Sequence, residues 1–199
     1  MAQEIEIELK QLLMKDEFEQ LKQHFQLQDE DFRTQINYYF DTPQFDIKSQ
    51  LAALRIREKE GQWVLTLKEP HEIGLLETHQ AIVPPSQIQS FQIPEGEVAD
   101  RLHRLNIPKD QIVYFGSLET SRAEKRIQEG LIVLDHSRYL TIEDYELEFE
   151  VSDLEIGQTA FAQLLSQFHI QARHTKNKVV RFYEEKMRTQ NRSFLEGGT

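Results

Sequence analysis

Charged and apolar side chains alternate along several short stretches of this 199-residue chain. Residues 4–10 read Glu-Ile-Glu-Ile-Glu-Leu-Lys, and residues 145–151 repeat the arrangement with three glutamates. Residues 54–57 and 63–68 alternate in the same way but carry arginine or lysine. Because successive side chains of a β-strand point to opposite faces, each stretch predicts a strand with one charged face and one apolar face.

The full pattern predicts a chain dominated by strands, with three longer helices. The predicted strands cover residues 4–10, 32–41, 53–60, 62–68, 75–82, 111–124, 125–136, 142–151 and 178–187. Helical spacing of apolar residues predicts helices at 14–26, 97–105 and 156–168. Gly61 marks a hairpin turn, and three prolines with Gly96 predict loops around a short helix in residues 83–96.

The charged strand faces have two interpretations. A half-buried sheet with a solvated face would explain any single strand. Aligned glutamates on a solvent face would repel one another, however, and basic strands match the acidic ones. We therefore expect an α+β fold in which an antiparallel barrel encloses the charges and helices pack on its apolar outer wall. Expected inside are Glu6, Glu8, Arg55, Arg57, Lys68, Glu146 and Glu148, whereas Ile5, Ile7 and Leu147 are expected to face helices.

Composition narrows the class of protein. The net charge of −11 repels DNA, RNA and anionic membranes on average. The absence of cysteine excludes disulfides and zinc–thiolate sites and fits a cytoplasmic location, and no apolar run suits a transmembrane helix. The length predicts one domain over residues 1–190 and a disordered tail at 191–199. The sequence leaves the oligomeric state open.

A barrel lined with charges needs a ligand that satisfies them. Clustered carboxylates suit Mg²⁺ or Mn²⁺, and clustered Arg and Lys suit phosphate oxygens. Both clusters in one interior predict a polyphosphate that chelates one or two divalent cations. The seven histidines lack metal-site spacing and are expected to be surface or packing residues, and the sequence has no P-loop or serine-hydrolase motif.

Ordered motifs give the chain a family resemblance. Glu6-x-Glu8-x-Lys10 is followed by Asn-Tyr-Tyr-Phe-Asp-Thr-Pro at 37–43, Leu-Arg-Ile-Arg at 54–57 and Leu-Thr-Leu-Lys at 65–68. The later members are Glu77, Arg122, Arg126, Leu134-Asp135, Glu146-x-Glu148 and Lys176-x-Lys178. In this order, over nearly the whole chain, the motifs resemble those of the CYTH proteins, also called triphosphate tunnel metalloenzymes.

The resemblance implies an eight-stranded tunnel open to solvent, with a role for each matching residue. The implied metal ligands are Glu6, Glu8, Asp135, Glu146 and Glu148, and Glu150 is an alternative partner for Glu148. The implied phosphate ligands are Lys10, Arg55, Arg57, Lys68, Arg122 and Lys176, with Arg126 and Lys178 as secondary candidates. Glu77 is expected to face the tunnel among the bases, and Glu4 to lie at the mouth. The set expected to act in catalysis is Glu6, Glu8, Lys10, Arg55, Arg57, Lys68 and Lys176.

The resemblance further implies hydrolysis of a small-molecule triphosphate with Mg²⁺ or Mn²⁺, and a tunnel lysine of lowered pKa is a candidate general base. One alternative is a class IV adenylyl cyclase, although the His-Phe dipeptide that such sequences place before E-x-E-x-K is absent here. Another is a module that binds polyphosphate without catalysis, against which the complete set of acids argues. The group attached to the triphosphate stays open, and the net charge makes long RNA the least attractive.

Overall fold

Eight antiparallel strands form a closed barrel in the computed structural model, which describes residues 3–196 and side chains up to residue 190. The strands are β1 (Gln3–Leu13), β2 (Arg33–Asp41), β3 (Ala53–Lys59), β4 (Gln62–His71), β5 (Gly74–Ala81), β6 (Val113–Arg126), β7 (Leu131–Tyr139) and β8 (Ile142–Val151). They are hydrogen-bonded in the order β1-β5-β4-β3-β2-β6-β7-β8, and β8 pairs with β1 to close the barrel. The predicted α+β barrel is confirmed.

The helices of the described part lie outside this barrel or across its end. They are α1 (Lys15–His24), α2 (Asp46–Ser49), α3 (Glu97–Arg104), α4 (Leu154–Gln167) and α5 (Lys178–Glu196), with 3-10 turns at Asp29–Asp31, Ile88–Ser90 and Lys109–Gln111. Helices α1, α3 and α4 confirm the three predicted helices, and Ile88–Ser90 confirms the short helix. Between residues 3 and 196, no helix combines the length and apolar character needed to cross a bilayer.

Two hairpins show how glycine positions the turns. Glu60 and Gly61 both have positive φ, 52° and 78°, as the predicted tight turn between β3 and β4 requires. The predicted boundary between residues 124 and 125 is wrong, because β6 runs on to Arg126 and the chain turns at 127–130. A Cβ at Gly130 would lie 2.3 Å from the carbonyl oxygen of Glu150, so the close approach at this turn requires glycine.

The apolar outer wall packs against helices, which gives the barrel its inverted character. Helices α1 and α4 cover one side through a cluster that includes Phe18, Leu165 and the fully buried Leu147. Helix α3 covers the opposite side through a cluster that includes Leu102 and Ile56.

The expected orientation of Ile7 and Leu147 is confirmed, since both pack in the first of these clusters. The expectation that Ile5 faces a helix is wrong, because its side chain is 45% exposed. Ile5 pairs with Leu76 of β5, at the start of β1, and it lies outside the cluster that α1 and α4 form with β1 and β8.

Residues 178–187 form the first turns of α5 and not the predicted ninth strand. The apolar and β-branched run at 179–183 suits a strand, but Phe182 packs against Tyr39, Leu118 and Tyr139, which point inward at one end of the barrel. A Cβ on Gly116, where φ is 153°, would lie 2.4 Å from the Phe182 ring. Helix α5 therefore covers one end of the tunnel, and burial there decides its conformation over local propensity.

The Asp-Thr-Pro sequence after β2 has a structural role. The Asp41 carboxylate is buried and accepts hydrogen bonds from the backbone N–H groups of Thr42, Ile47 and Lys48, at 2.8, 3.0 and 3.1 Å. The bonds from Ile47 and Lys48 satisfy backbone donors in the first turn of α2 that otherwise lack partners. This part of the family motif thus shapes the loop beside the α5 end of the barrel.

The boundary expected at residue 190 stays a prediction. Helix α5 continues to Glu196, and residues 197–199 lie outside the described part of the chain.

Candidate active site

The barrel encloses a cavity of about 1500 Å³ that the inward-facing charged residues of its strands line. Glu4, Glu124, Arg126 and Glu129 are exposed at the end opposite α5, which we call the mouth. Every charged residue expected inside either lines the cavity or, in the case of Glu146, lies buried against cations of α5. The lining charged residues from β1, β3, β4, β5, β6 and β8 include Glu6, Glu8, Lys10, Arg55, Arg57, Lys68, Glu77, Arg122, Glu148 and Glu150.

One wall of the cavity is basic, and Arg57 is its most exceptional member. Its Nε donates a hydrogen bond to Asn37 Oδ1 at 3.0 Å, and no carboxylate of the described residues lies within ion-pair distance. Burial, followed by the charges of the neighbouring Arg55 and Arg122, lowers the pKa of Arg57 to about 9. A half-buried cation among like charges is stabilised by an anion, so this wall is suited to bind one.

Two acids lie among these bases. Lys68 donates a hydrogen bond to Glu6 Oε2 at 2.6 Å and also contacts Glu77. Burial opposes ionisation of Glu77, but Arg55 and Lys68 outweigh it and lower the Glu77 pKa to about 2. Glu77 therefore faces the tunnel among the bases, as expected, and orients them.

The opposite wall is acidic and contains a carboxylate trio, Glu8, Glu146 and Glu148. One oxygen from each lies within 4.8 Å of the others. Oε1 of Glu8 is buried 2.6 Å from Lys10 Nζ, and Oε1 of Glu146 is buried 3.1 Å from Lys178 Nζ. Convergent carboxylate oxygens are the ligands that Mg²⁺ and Mn²⁺ prefer, so the trio fits a divalent cation.

The pKa values of the trio indicate that the neighbouring cations do not fully compensate its negative charge. Burial, with a further contribution from Glu148, outweighs Lys178 and Arg181 and raises the pKa of Glu146 to about 7. Burial and Glu148 likewise raise the pKa of Glu8. The Glu148 pKa lies well below its usual range, because Lys178 and Arg122 outweigh its burial. Additional positive charge beside Glu8 and Glu146 would therefore be favourable.

Cations from β6 and α5 hold these acids in place. Arg122 binds Asp135 through two hydrogen bonds, of 2.7 and 2.6 Å, and Glu148 through a third of 2.6 Å. Lys178 lies 2.8 Å from Asp135 and 3.1 Å from Glu146, and it contacts Glu148 directly. The carboxylate of Asp135 is thus occupied by Arg122 and Lys178.

The structure does not place every predicted metal or phosphate ligand where it was expected in the site. Glu6 pairs with Lys68 and Asp135 with Arg122, so neither joins the trio. The prediction that Lys176 lies among the phosphate ligands is not supported, because its side chain is 47% exposed and pairs with Glu184. The helical start of α5 explains the difference, since it directs Lys178 inward instead. Arg126 lies at the mouth.

Sequence reasoning missed two residues. Arg181 binds Glu146 and lies 3.1 Å from Asp144. It follows Lys178 by three positions, so a helix assigned to residues 178–187 would have placed both side chains on the same face. His79 points into the cavity, with Nδ1 3.0 Å from Thr66 Oγ1 and Nε2 3.2 Å from Glu4 Oε1. His79 is two positions from Glu77 on β5, so strand alternation alone places it inside.

The general base expected among the lysines does not appear at Lys10 or at Lys178. Burial opposes the charge of Lys10, but Glu8 and Glu148 outweigh it and raise its pKa. Lys178 likewise has a pKa well above its usual value, because Asp135 and Glu146 outweigh burial. Both lysines are suited to hold anions rather than to accept protons.

Comparison with known proteins agrees with this architecture. The CYTH domain model matches residues 4–183. The Bacillus subtilis (strain 168) protein YjbK, whose name proposes a triphosphatase, is 57% identical over 189 residues, which are 95% of this chain and all of that protein. A Bacillus halodurans protein, described as a proposed adenylate cyclase, has a structure that matches with a TM-score of 0.86 at 44% identity, over 92% of this chain and 100% of that chain.

A more distant structure shows the same fold. HpAC1 of Hippeastrum, for which a dominant triphosphatase activity is reported, matches with a TM-score of 0.74 at 24% identity, over 91% of this chain and 96% of its own. The match of the domain model to most of the chain, the high identity to YjbK and the barrel itself show that this chain belongs to the CYTH domain family.

Proposed function

We propose that the protein is a metal-dependent triphosphatase that hydrolyses a small-molecule triphosphate inside the tunnel. The observation that supports this proposal is the opposition of two walls: a basic wall with a half-buried Arg57 that forms no ion pair with the described residues, and an acidic wall with a trio of carboxylates. A chelate of triphosphate with Mg²⁺ or Mn²⁺ satisfies both walls at once. The name of the relative YjbK supports the same reaction class.

Each wall has its own task in this proposal. Arg55, Arg57, Lys68 and Arg122 bind phosphate oxygens and neutralise the charge that develops on the transferred phosphoryl group. Glu8, Glu146 and Glu148 would hold the divalent cation, which supplies electrostatic stabilisation of the phosphate and activation of water. Burial strengthens these interactions, because the tunnel excludes most of the water that would screen them.

Binding of the chelate also explains the pairings within the basic wall. Glu6 and Glu77 hold Lys68 in the tunnel. A base fixed in this way needs little reorganisation when phosphate arrives, which is the basis of electrostatic preorganisation. The absence of cysteine supports a cytoplasmic location for the enzyme.

Two substitutions separate the tasks of the walls. Glu8→Gln should lower kcat by roughly 10²–10³-fold, because it weakens a charge contact needed mainly in the transition state. Arg57→Ala should raise KM at least as much as it lowers kcat, because Arg57 also binds ground-state phosphate. Phosphate release from tripolyphosphate, with Mg²⁺ and with Mn²⁺, measures both effects.

Glu129→Gln, at the exposed mouth, is the matched control and should leave kcat within about twofold. The likeness to the Bacillus halodurans protein makes a cyclase the second candidate. A cyclase would release pyrophosphate and cyclic AMP from ATP, and a pure binding module would retain tripolyphosphate without releasing any product. Either result with the wild-type protein would overturn the proposal.

A further inference from the structure

Lys178 contacts two of the three acids that would hold a metal ion. Its ammonium group is largely buried, and it contacts Glu146 and Glu148, two of the three acids of the carboxylate trio, together with Asp135. The oxygens that face Lys178 include Glu146 Oε1 at 3.1 Å and Glu148 Oε1. The ammonium and a divalent cation would therefore compete for the same acids.

The two cations cannot share these oxygens at low cost. Like charges a few ångströms apart repel strongly in a buried site, where water screens them little. Arg181 and Arg122 bind the same acids from either side, through Glu146 and Glu148 respectively, and add to the repulsion. Divalent cations thus gain full access to the trio only when Lys178 has another anion to contact.

The backbone around Lys178 is held in place, so any movement of its ammonium group must come from rotation of the side chain. Asn177, immediately before it, accepts a hydrogen bond from Lys10 Nζ at 2.8 Å through its side chain. The Asn177 carbonyl accepts from the N–H of Val180 at 2.9 Å and of Arg181 at 3.1 Å. Thr175 accepts from the N–H of Leu12 at 2.8 Å. With the backbone held to β1, rotation of the long lysine side chain is the available change.

We propose that Lys178 keeps divalent cations from binding the carboxylate trio until a triphosphate enters the tunnel. The ammonium group then moves from Glu146 and Glu148 to a phosphate oxygen, and the divalent cation takes the vacated carboxylates. This inference rests on the proposed function. Its consequence is cooperative binding: metal alone binds weakly, and metal binds tightly in the presence of a triphosphate.

The test measures Mn²⁺ binding and needs no turnover. Binding is followed by the electron paramagnetic resonance signal of free Mn²⁺ for the wild-type protein and for Lys178→Met. In the absence of triphosphate, Lys178→Met should bind Mn²⁺ about tenfold or more tightly than the wild type, because one competing charge is gone. Lys125→Met removes an equally charged but exposed side chain from β6, and it should bind Mn²⁺ as the wild type does.

A second measurement uses the wild-type protein alone, so that it stands even if Lys178→Met fails to fold. Mn²⁺ binding is measured by equilibrium dialysis, with and without a non-hydrolysable imidotriphosphate on both sides of the membrane. At equal free Mn²⁺, the protein should bind Mn²⁺ about tenfold or more tightly when the analogue is present. Equal Mn²⁺ affinity with and without the analogue would overturn the proposal. Unchanged affinity in a folded Lys178→Met protein would do the same.

These outcomes are distinct from failure of the proposed function. If the wild type releases no phosphate but Lys178→Met gains Mn²⁺ affinity, the hydrolase assignment is wrong and the role of Lys178 stands. If phosphate is released but Mn²⁺ binding is independent of both Lys178 and the analogue, the hydrolase assignment stands and the proposed role of Lys178 is wrong.

Discussion

The buried acids of the tunnel differ in how much positive charge surrounds each of them. Glu148 is contacted by Arg122 and Lys178, which keep it ionised. Glu150, two positions further along β8, faces the same cavity, but it lies beside Glu6 and forms no ion pair with the described residues. Burial, followed by the charge of Glu6, raises the Glu150 pKa from 4.5 to about 7.

This shift predicts a pH-dependent effect of Glu150→Gln on stability. Because the folded-state pKa is raised, ionising Glu150 costs more in the folded protein than in the unfolded chain. The cost is absent at low pH, grows from about pH 4.5 to about pH 7, and is fully present above that window. The substitution should therefore raise the Tm more at pH 8.5 than at pH 6.

Thermal unfolding at the two pH values, without metal or phosphate, measures the difference. Glu72→Gln, in the exposed turn between β4 and β5, is the control and should shift the Tm equally at both. A larger gain at pH 6 than at pH 8.5 would contradict the assigned environment of Glu150.

At the scale of elements, α5 joins the closed end of the barrel to its charged centre. One face carries Phe182, which packs against Tyr39 and Leu118 inside the barrel end. The same side of the helix directs Lys178 and Arg181 to the acids of β7 and β8. Packing of the apolar ring thus fixes where the two cations lie, so fold and site depend on the same helix.

Truncation of the ring should show this dependence. Phe182→Ala is expected to lower the free energy of unfolding by about 3–5 kcal/mol, because a fully buried ring leaves a cavity. Urea unfolding measures the loss, and Val83→Ala, at a side chain 83% exposed, should change it by less than about 0.5 kcal/mol. A loss below about 1 kcal/mol for Phe182→Ala would mean that α5 does not pack into the barrel in solution.

At the scale of the whole molecule, the net charge of −11 contrasts with the basic wall inside. The mouth carries Glu4, Glu124 and Glu129 beside Arg126, so it offers no broad basic surface to a nucleic acid. A small triphosphate needs to pass only this rim, whereas a long polyanion stays in the field of the whole surface.

Substrate length should therefore affect turnover through electrostatics. We expect kcat/KM for an RNA oligonucleotide with a 5′-triphosphate to be about tenfold or more below that for tripolyphosphate at low salt. The gap should narrow as salt rises toward ~0.3 M, because screening weakens repulsion between exposed charges. Phosphate release at two salt concentrations tests this, and RNA turnover equal to that of tripolyphosphate at low salt would refute it.

The order of residues along the chain was enough to predict the barrel and most of its charged lining. Strict alternation in β1, β3 and β8 assigns each side chain to the inner or outer face, because the strand period of two leaves no other choice. That local rule was enough to place Glu8, Arg57 and Glu148 in one cavity, and the ordered motifs identified the family. It failed where a contact between distant segments decides the structure.

Which charges meet, and how the chain covers the end of the barrel, depend on packing between segments that are far apart in sequence. The run that begins at Lys178 reads as a strand locally, but burial of Phe182 in the barrel end makes it a helix. That change directs Lys178 inward and leaves Lys176 exposed, and it brings Arg181 to Glu146. Pairing and burial set the charge state of each acid, and both depend on residues far apart in sequence.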